Sequence, residues 1–172
     1  ELMEQKIYVA YDGTNDYETY KQIQEWVDSN EEKFNFFDAI DLYKKLDRVE
    51  DELLREQVRE RMSTANVVVL LVSKTTKSFR RFIRWQIEYA INKNIPIIAM
   101  NVNGIRSVDY DRIPTILKKN LAIHIAFQAP ILEYALNNWP ESFKTHISKE
   151  EKNSFKYTED IYNDLELIPS DV

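Results

Sequence analysis

The chain has 172 residues, a net charge of −6 and a pI near 5.1, which fits one domain with a full hydrophobic core. The acidic balance argues against nucleic acid as a partner. The absence of cysteine excludes disulfides and thiolate sites. With only two histidines, no multi-histidine metal site is expected, and with only two glycines, neither a dinucleotide fingerprint nor a P-loop is expected. No apolar run is long enough to span a membrane and no signal-peptide pattern is present, so a cytoplasmic location without membrane contact is the expectation.

The first half of the chain alternates strand-like and helix-like segments. A short apolar run over residues 6–11 predicts a first strand, which is followed by a turn cluster. Apolar residues at helical spacing predict a helix over 17–27, and 34–39 has the composition of a second strand. The charge-dense stretch 47–62 predicts an exposed helix with internal ion pairs. Residues 66–72 form a continuous β-branched run, which predicts a strand covered on both faces.

The second half continues the alternation. It contains a predicted helix over 80–91, strands over 95–100 and 121–127, and a helix over 131–143 that Pro140 is expected to interrupt. We expect one domain over residues 1–147 and a C-terminal helical tail over 148–172 packed on it. The whole predicts an α/β flavodoxin-like fold with three layers: a five-stranded parallel sheet of order 2-1-3-4-5 with helices on both faces. Ligands of such folds bind beyond the carboxyl ends of the strands, at the switch between strands 1 and 3.

The helix over 80–91 contains one polar residue where an apolar one is expected. Gln86 lies within an apolar stripe formed by Phe79, Phe82, Ile83, Ile87, Ala90 and Ile91. A buried amide must find hydrogen-bond partners, so Gln86 is either a satisfied structural side chain or part of a site. Glu88 lies on the opposite side of the helix and is not a substitute for it.

Several motifs occur in a characteristic order. Strand 1 ends in Val9-Ala10-Tyr11-Asp12, strand 2 ends in Phe37-Asp38-Ala39, and the Val-rich strand closes with Ser73-Lys74-Thr75-Thr76. An Arg-Arg-aromatic-aliphatic-Arg-aromatic pattern follows over 80–87, and a tyrosine-rich tail over 157–167. Together these motifs resemble a TIR-like domain, and they are most similar to the ThsB-type TIR proteins of bacterial Thoeris anti-phage defence.

The resemblance implies an activity. TIR enzymes cleave NAD⁺ between nicotinamide and ribose with a glutamate four residues after an aromatic residue. In this chain Phe82 takes the aromatic position and Gln86 the glutamate position. The family would use NAD⁺ as substrate without a further cofactor, and make a cyclic ADP-ribose-derived signal for a separate effector. Assembly into a homo-oligomer is also expected.

Glutamine at this position is the important departure from the family pattern. A carboxylate can stabilise positive charge that develops on the ribose, and glutamine cannot. Loss of one such group lowers the rate by roughly 10²–10³, so the chain as written is expected to be a slow or inactive NADase. The glutamine is either natural or engineered. A natural glutamine would favour the alternative, a non-catalytic TIR-like signalling or protein-interaction module. A Mg²⁺-binding receiver is disfavoured, because strand 3 ends in Ser73 rather than in an aspartate.

Six further residues are predicted to bind substrate, and four of them also have a plainer structural interpretation. Asp12 could only shape a turn, Ser73 could only cap the next element, and Asp38 could be a solvated acid. Arg84 could contact a diphosphate or simply lie on a solvated helix face. His124 is expected to be a satisfied core histidine. The substrate-binding candidates are Tyr11, Asp12, Asp38, Ser73, Phe82 and Arg84.

Overall fold

The computed structural model describes residues 4–28, 33–78 and 80–168. Predictions on Phe79, on the side chain of Arg80 and on residues 169–172 lie outside this part of the chain. The strands are β1 (Gln5–Ala10), β2 (Phe34–Phe37), β3 (Val67–Val72), β4 (Ile97–Asn101), β5 (Ala122–Ala126) and β6 (Ser154–Lys156). The helices are α1 (Tyr17–Asp28), α2 (Ile40–Tyr43), α3 (Asp51–Met62), α4 (Arg80–Asn92), α5 (Ala129–Ser148) and α6 (Glu159–Asp164), with 3₁₀ turns at Thr76–Ser78 and Thr115–Lys119.

All neighbouring strands pair in parallel, in the order β2-β1-β3-β4-β5-β6. The predicted flavodoxin-like order of the first five strands is confirmed. Within the described residues the sheet has six strands rather than five, because the tail adds β6 beside β5 before forming the short helix α6. The helical spacing from Tyr157 onward predicts a helix, which corresponds to α6. It does not indicate β6, which lies just before this segment and is only three residues long.

The sheet separates two hydrophobic layers. All six residues of β3 are buried, as the continuous β-branched run predicts for a central parallel strand. One layer packs the sheet against α1 and α5, with Ile23 and Trp139 in its core. The other packs it against α3 and α4, with Val58 and Ile87 in its core. This is the predicted three-layer arrangement with helices on both faces.

Pro140 does not interrupt the helix that contains it, contrary to the prediction. The helix α5 runs through it from Ala129 to Ser148. Proline cannot donate a hydrogen bond to the carbonyl four residues earlier, which here is that of Leu136. The side chain of Gln5 donates to that carbonyl instead, with an Nε2–O distance of 3.0 Å. A donor from β1 therefore satisfies the carbonyl that proline leaves without one.

His124 is buried but not satisfied. It lies on β5 between Ala99 of β4 and Lys156 of β6. Neither ring nitrogen has a hydrogen-bond partner within the described residues, so the predicted satisfied histidine is wrong in that respect. Burial lowers the pKa of His124 to about 4, so the ring is neutral at physiological pH.

Candidate functional site

Gln86 lies on the inner face of α4 and both polar atoms of its side chain are hydrogen-bonded. The residue is 1% exposed. Its Nε2 donates to the carbonyl oxygen of Phe82 at 2.8 Å, and its Oε1 accepts from the hydroxyl of Tyr8 at 2.6 Å. Tyr8 lies on β1 and is completely buried. The amide is therefore anchored between its own helix and the central sheet.

Gln86 also borders a narrow crevice at the carboxyl ends of β1 and β2. The cavity volume is about 10 Å³, roughly the space of one water molecule. A ligand site was expected at the switch between strands 1 and 3, and the crevice lies on the other side of β1, towards β2, with Gln86 of α4 on its wall. The lining residues are Val9, Tyr11, Gly13, Ala39, Ile40, Tyr43 and Gln86.

Tyr43 closes this crevice. Its ring lies directly against Gly13 and packs edge-to-face on Phe82, with 5.6 Å between the ring centroids and 73° between the planes. Its hydroxyl forms a short hydrogen bond with the side chain of Thr14. The crevice in this conformation is far too small for a nucleotide.

Tyr11 forms one wall of the crevice and connects it to Asp38. Its hydroxyl donates to Oδ2 of Asp38 at 2.5 Å, and its ring stacks on Tyr20 with 4.9 Å between centroids. Burial, followed by the hydrogen bond to Asp38 and that residue's charge, raises the pKa of Tyr11. The tyrosine therefore keeps its proton at neutral pH and donates a hydrogen bond to Asp38.

Arg61 of α3 fixes the loop that carries Asp38. Its Nη1 donates to the carbonyl oxygen of Asp38 at 2.9 Å, and its two Nη atoms bind both carboxylate oxygens of Asp41 at 2.9 Å. The hydrogen bonds from Arg61 lower the pKa of Asp41 to about 2. The bidentate pair between Arg61 and Asp41 fixes the start of α2, the helix that ends at Tyr43.

Asp12 is directed into the loops rather than into the crevice. It is completely buried, and its Oδ1 accepts from the backbone N–H groups of Thr14 and Asn15 at 2.9 and 3.1 Å. Its Oδ2 accepts from the side chain of Asn15 at 2.7 Å and from the hydroxyl of Thr75. Asp12 thus ties the loop after β1 to the loop after β3. The geometry favours the turn-forming interpretation of this residue.

Ser73 belongs to the same pair of loops. Its hydroxyl donates to Oδ2 of Asp16 at 2.5 Å, and its backbone N–H donates to the hydroxyl of Thr76 at 2.8 Å. Burial raises the pKa of Asp16, opposed by the hydrogen bond from Ser73 and reinforced by the charge of Asp12. Ser73 is not among the residues that line the crevice.

Arg84 lies outside the crevice. Its side chain is 64% exposed, and its Nε binds Oε1 of Glu88 at 2.5 Å. It lines a separate open groove of about 630 Å³ together with Lys77 and Pro114. Glu88 also binds Arg55 at 3.1 Å, on the face of α4 that packs beside α3. The structure therefore brings together Gln86, Tyr11, Phe82 and, through Tyr11, Asp38, and it leaves Asp12, Ser73 and Arg84 in other surroundings.

Three residues of this region were missed from the sequence. They are Tyr8, which binds Gln86, and Gly13 and Tyr43, which close the crevice. The sequence signal available for Tyr8 was a hydroxyl group within the apolar part of a predicted strand. Gly13 is one of only two glycines in the chain, which also marked it as unusual. Nothing in the local pattern marked Tyr43.

The fold defines the chain as an α/β protein with a parallel sheet of flavodoxin-like order. The family model for the TIR-like domain of the Thoeris protein ThsB matches residues 8–107. Since this match covers more than half of the chain, the chain belongs to the ThsB TIR-like family and is a TIR-related protein of Thoeris defence.

Comparison with other proteins adds little to this assignment. A solved structure described as a conserved protein from Enterococcus faecalis V583 aligns with 95% of this chain and 98% of that chain, at 14% identity and a TM-score of 0.45. No curated protein matches the chain. Within residues 4–28, 33–78 and 80–168, no helix combines the length and apolar character that a bilayer crossing requires.

Proposed function

We propose that the crevice beside Gln86 is the position of an NAD⁺-cleaving centre, and that glutamine at residue 86 makes this chain slow or inactive. The observation that carries the proposal is the placement of residue 86. It lies on the wall of a crevice at the carboxyl ends of β1 and β2, next to Tyr11, in a chain of the ThsB TIR-like family. The family's catalytic glutamate belongs at this position by resemblance.

The chemistry explains what a carboxylate would do there. Breaking the bond between ribose C1′ and the nicotinamide nitrogen leaves the electron pair on nicotinamide, which departs as a neutral molecule. The ribose then carries positive charge, which a carboxylate beside it stabilises. Water can capture this centre and release a proton to give ADP-ribose, or a nucleophile of the same nucleotide can capture it to give a cyclic product. We favour the cyclic product as a diffusible signal for a separate effector.

Glutamine has nearly the same size as glutamate but no negative charge. In this structure its amide is already occupied by Phe82 and Tyr8. It therefore supplies neither a base nor a counter-charge to the ribose. NAD⁺ is the substrate in this proposal, and no resident cofactor or metal is required.

A second candidate is a non-catalytic TIR-like module that signals through protein contacts. The specific observation in its favour is the complete hydrogen bonding of the Gln86 amide beneath a crevice of about 10 Å³. Such a side chain stabilises the domain without any ligand. This candidate requires that glutamate at position 86 give no turnover.

Restoring the carboxylate separates the two candidates. The unchanged chain and the Gln86→Glu variant are incubated with NAD⁺, and nicotinamide is quantified by chromatography. Gln22→Glu is the matched control, because it makes the same substitution at an exposed site on α1. Nicotinamide release by Gln86→Glu alone supports the enzyme. No turnover by any form, at high protein concentration, supports the module.

A further inference from the structure

We propose that the carbonyl of Phe82 selects a neutral side chain at position 86 and that the hydroxyl of Tyr8 orients it, which makes Tyr8 its positioning residue. The relevance of this arrangement to catalysis rests on the proposed function of the crevice. The arrangement itself does not, because it concerns the protonation and orientation of residue 86 in the absence of ligand.

The argument begins with the two partners. One is a donor, the Tyr8 hydroxyl at 2.6 Å from Oε1, and the other is an acceptor, the Phe82 carbonyl oxygen at 2.8 Å from Nε2. An amide matches this pair because it has one acceptor and one donor group. An ionised carboxylate has acceptors only, whereas a protonated carboxyl again has one of each. With glutamate at position 86, only the protonated form reproduces both hydrogen bonds.

Burial acts in the same direction. Gln86 is 1% exposed and Tyr8 is completely buried, so a charge at position 86 would be taken out of water. Burial, followed by the negative charge of Asp38, raises the pKa of Tyr8. Tyr8 therefore keeps its proton and stays a donor throughout the neutral range.

The remaining charged groups around the pair do not reverse this conclusion. Tyr11 and Tyr43 line the crevice, and the groups whose charge acts on Tyr8 are Asp38, Arg61, Asp41 and Tyr20. Arg61 is engaged by both oxygens of Asp41 and by the Asp38 carbonyl. Arg61, the cation among these groups, is therefore already paired. A glutamate there takes up a proton in the closed crevice and ionises when Tyr43 moves and water enters.

A carboxyl titration of the Gln86→Glu variant tests the inference without NAD⁺. The ¹³C signals of glutamate side-chain carboxyls are followed with pH by NMR, with Gln22→Glu as the exposed control. We expect the carboxyl at position 86 to titrate at least one pH unit above the one at position 22. Adding Tyr8→Phe removes the hydroxyl that donates to residue 86, which would also stabilise the ionised form, and moves the titration to still higher pH. Titration of Gln86→Glu at or below the control would overturn the inference, as would an unchanged or lower midpoint in the double variant.

A second measurement needs no buried carboxyl and therefore holds even when Gln86→Glu does not fold. Tyr8→Phe, Gln86→Met and the double variant are compared by melting temperature. If the hydroxyl and the amide act as a pair, the double variant loses less than the sum of the two single losses. Additive losses would show that Tyr8 does not position residue 86. Absence of nicotinamide release, by contrast, would refute only the proposed enzyme activity.

Discussion

The ring of Tyr43 leaves no room for a side chain at residue 13. The Gly13→Ala variant therefore tests whether Tyr43 closes the crevice. The backbone of Gly13 lies outside the left-handed region, so its conformation alone does not require glycine. A Cβ atom added there would lie 2.6 Å from Cε2 and 2.8 Å from Cγ of the Tyr43 ring. These are ring atoms close to the backbone, so the whole ring must move.

The cost follows from what the ring gives up. The edge-to-face pair with Phe82 contributes about 0.5–1.5 kcal/mol, and the hydrogen bond with Thr14 contributes about 0.5–1.5 kcal/mol. Replacing glycine by alanine recovers about 0.5 kcal/mol through the unfolded chain. We therefore expect Gly13→Ala to lower the free energy of unfolding by about 1.5 kcal/mol.

Urea unfolding of a double-mutant cycle measures this effect. In a Tyr43→Ala background the clash is absent, so Gly13→Ala should be neutral or stabilising by about 0.5 kcal/mol. Gly104→Ala is the control, since Gly104 has a φ of 86° and an added Cβ would meet no atom within 4 Å. It should cost about 1 kcal/mol in both backgrounds, from backbone strain alone. An equal effect of Gly13→Ala with and without Tyr43 would refute the reasoning.

Two further predictions concern buried ionisable groups. Asp12→Ala should lower the free energy of unfolding by about 3 kcal/mol, because two backbone N–H groups and two side chains lose their hydrogen-bond acceptor. Urea unfolding measures this loss. A loss below about 0.5 kcal/mol would contradict the role of Asp12 in joining the two loops. Burial lowers the pKa of His124 from 6.5 to about 4. Between these two pH values the histidine of the unfolded chain binds a proton that the folded chain does not bind. The free energy of unfolding therefore falls as the pH drops from 6.5 to about 4, by about 3 kcal/mol at most. His124→Leu should flatten the stability profile between these pH values, and an unchanged slope would show that His124 is not its source.

The central position of β3 was predictable because this strand is a continuous apolar run. The six residues of β3, Val67–Val72, are apolar on both faces of the strand, which places it in the centre of a parallel sheet. The sixth strand was not predictable in the same way. Its three residues, Ser154–Lys156, are only partly buried and have no recognisable run of their own. This segment forms a strand because it pairs with β5, and β5 lies far from it in sequence.

The passage of α5 through Pro140 has a similar explanation. The local rule, that proline removes a helical hydrogen bond, is correct. The compensation comes from Gln5, which is separated from Leu136 by 131 positions. A prediction made from neighbouring residues has no access to such a donor.

The candidate site was predictable in part. Helical phase placed Gln86 on the inner face of α4 and Glu88 away from it, and the fold placed Tyr11 beside it. Phase alone does not say what a side chain binds. The hydroxyl of Tyr8, the carbonyl of Phe82 and the ring of Tyr43 meet at Gln86 only because three separate elements pack there.

The central claim is that residue 86 is the reaction centre of an NAD⁺-cleaving site. The most direct measurement is the ratio of initial rates of nicotinamide release by Gln86→Glu and by the unchanged chain, under identical conditions. The account predicts a ratio of roughly 10²–10³, the usual worth of one electrostatic group aimed at developing charge. A ratio near one, with both proteins folded, would contradict it.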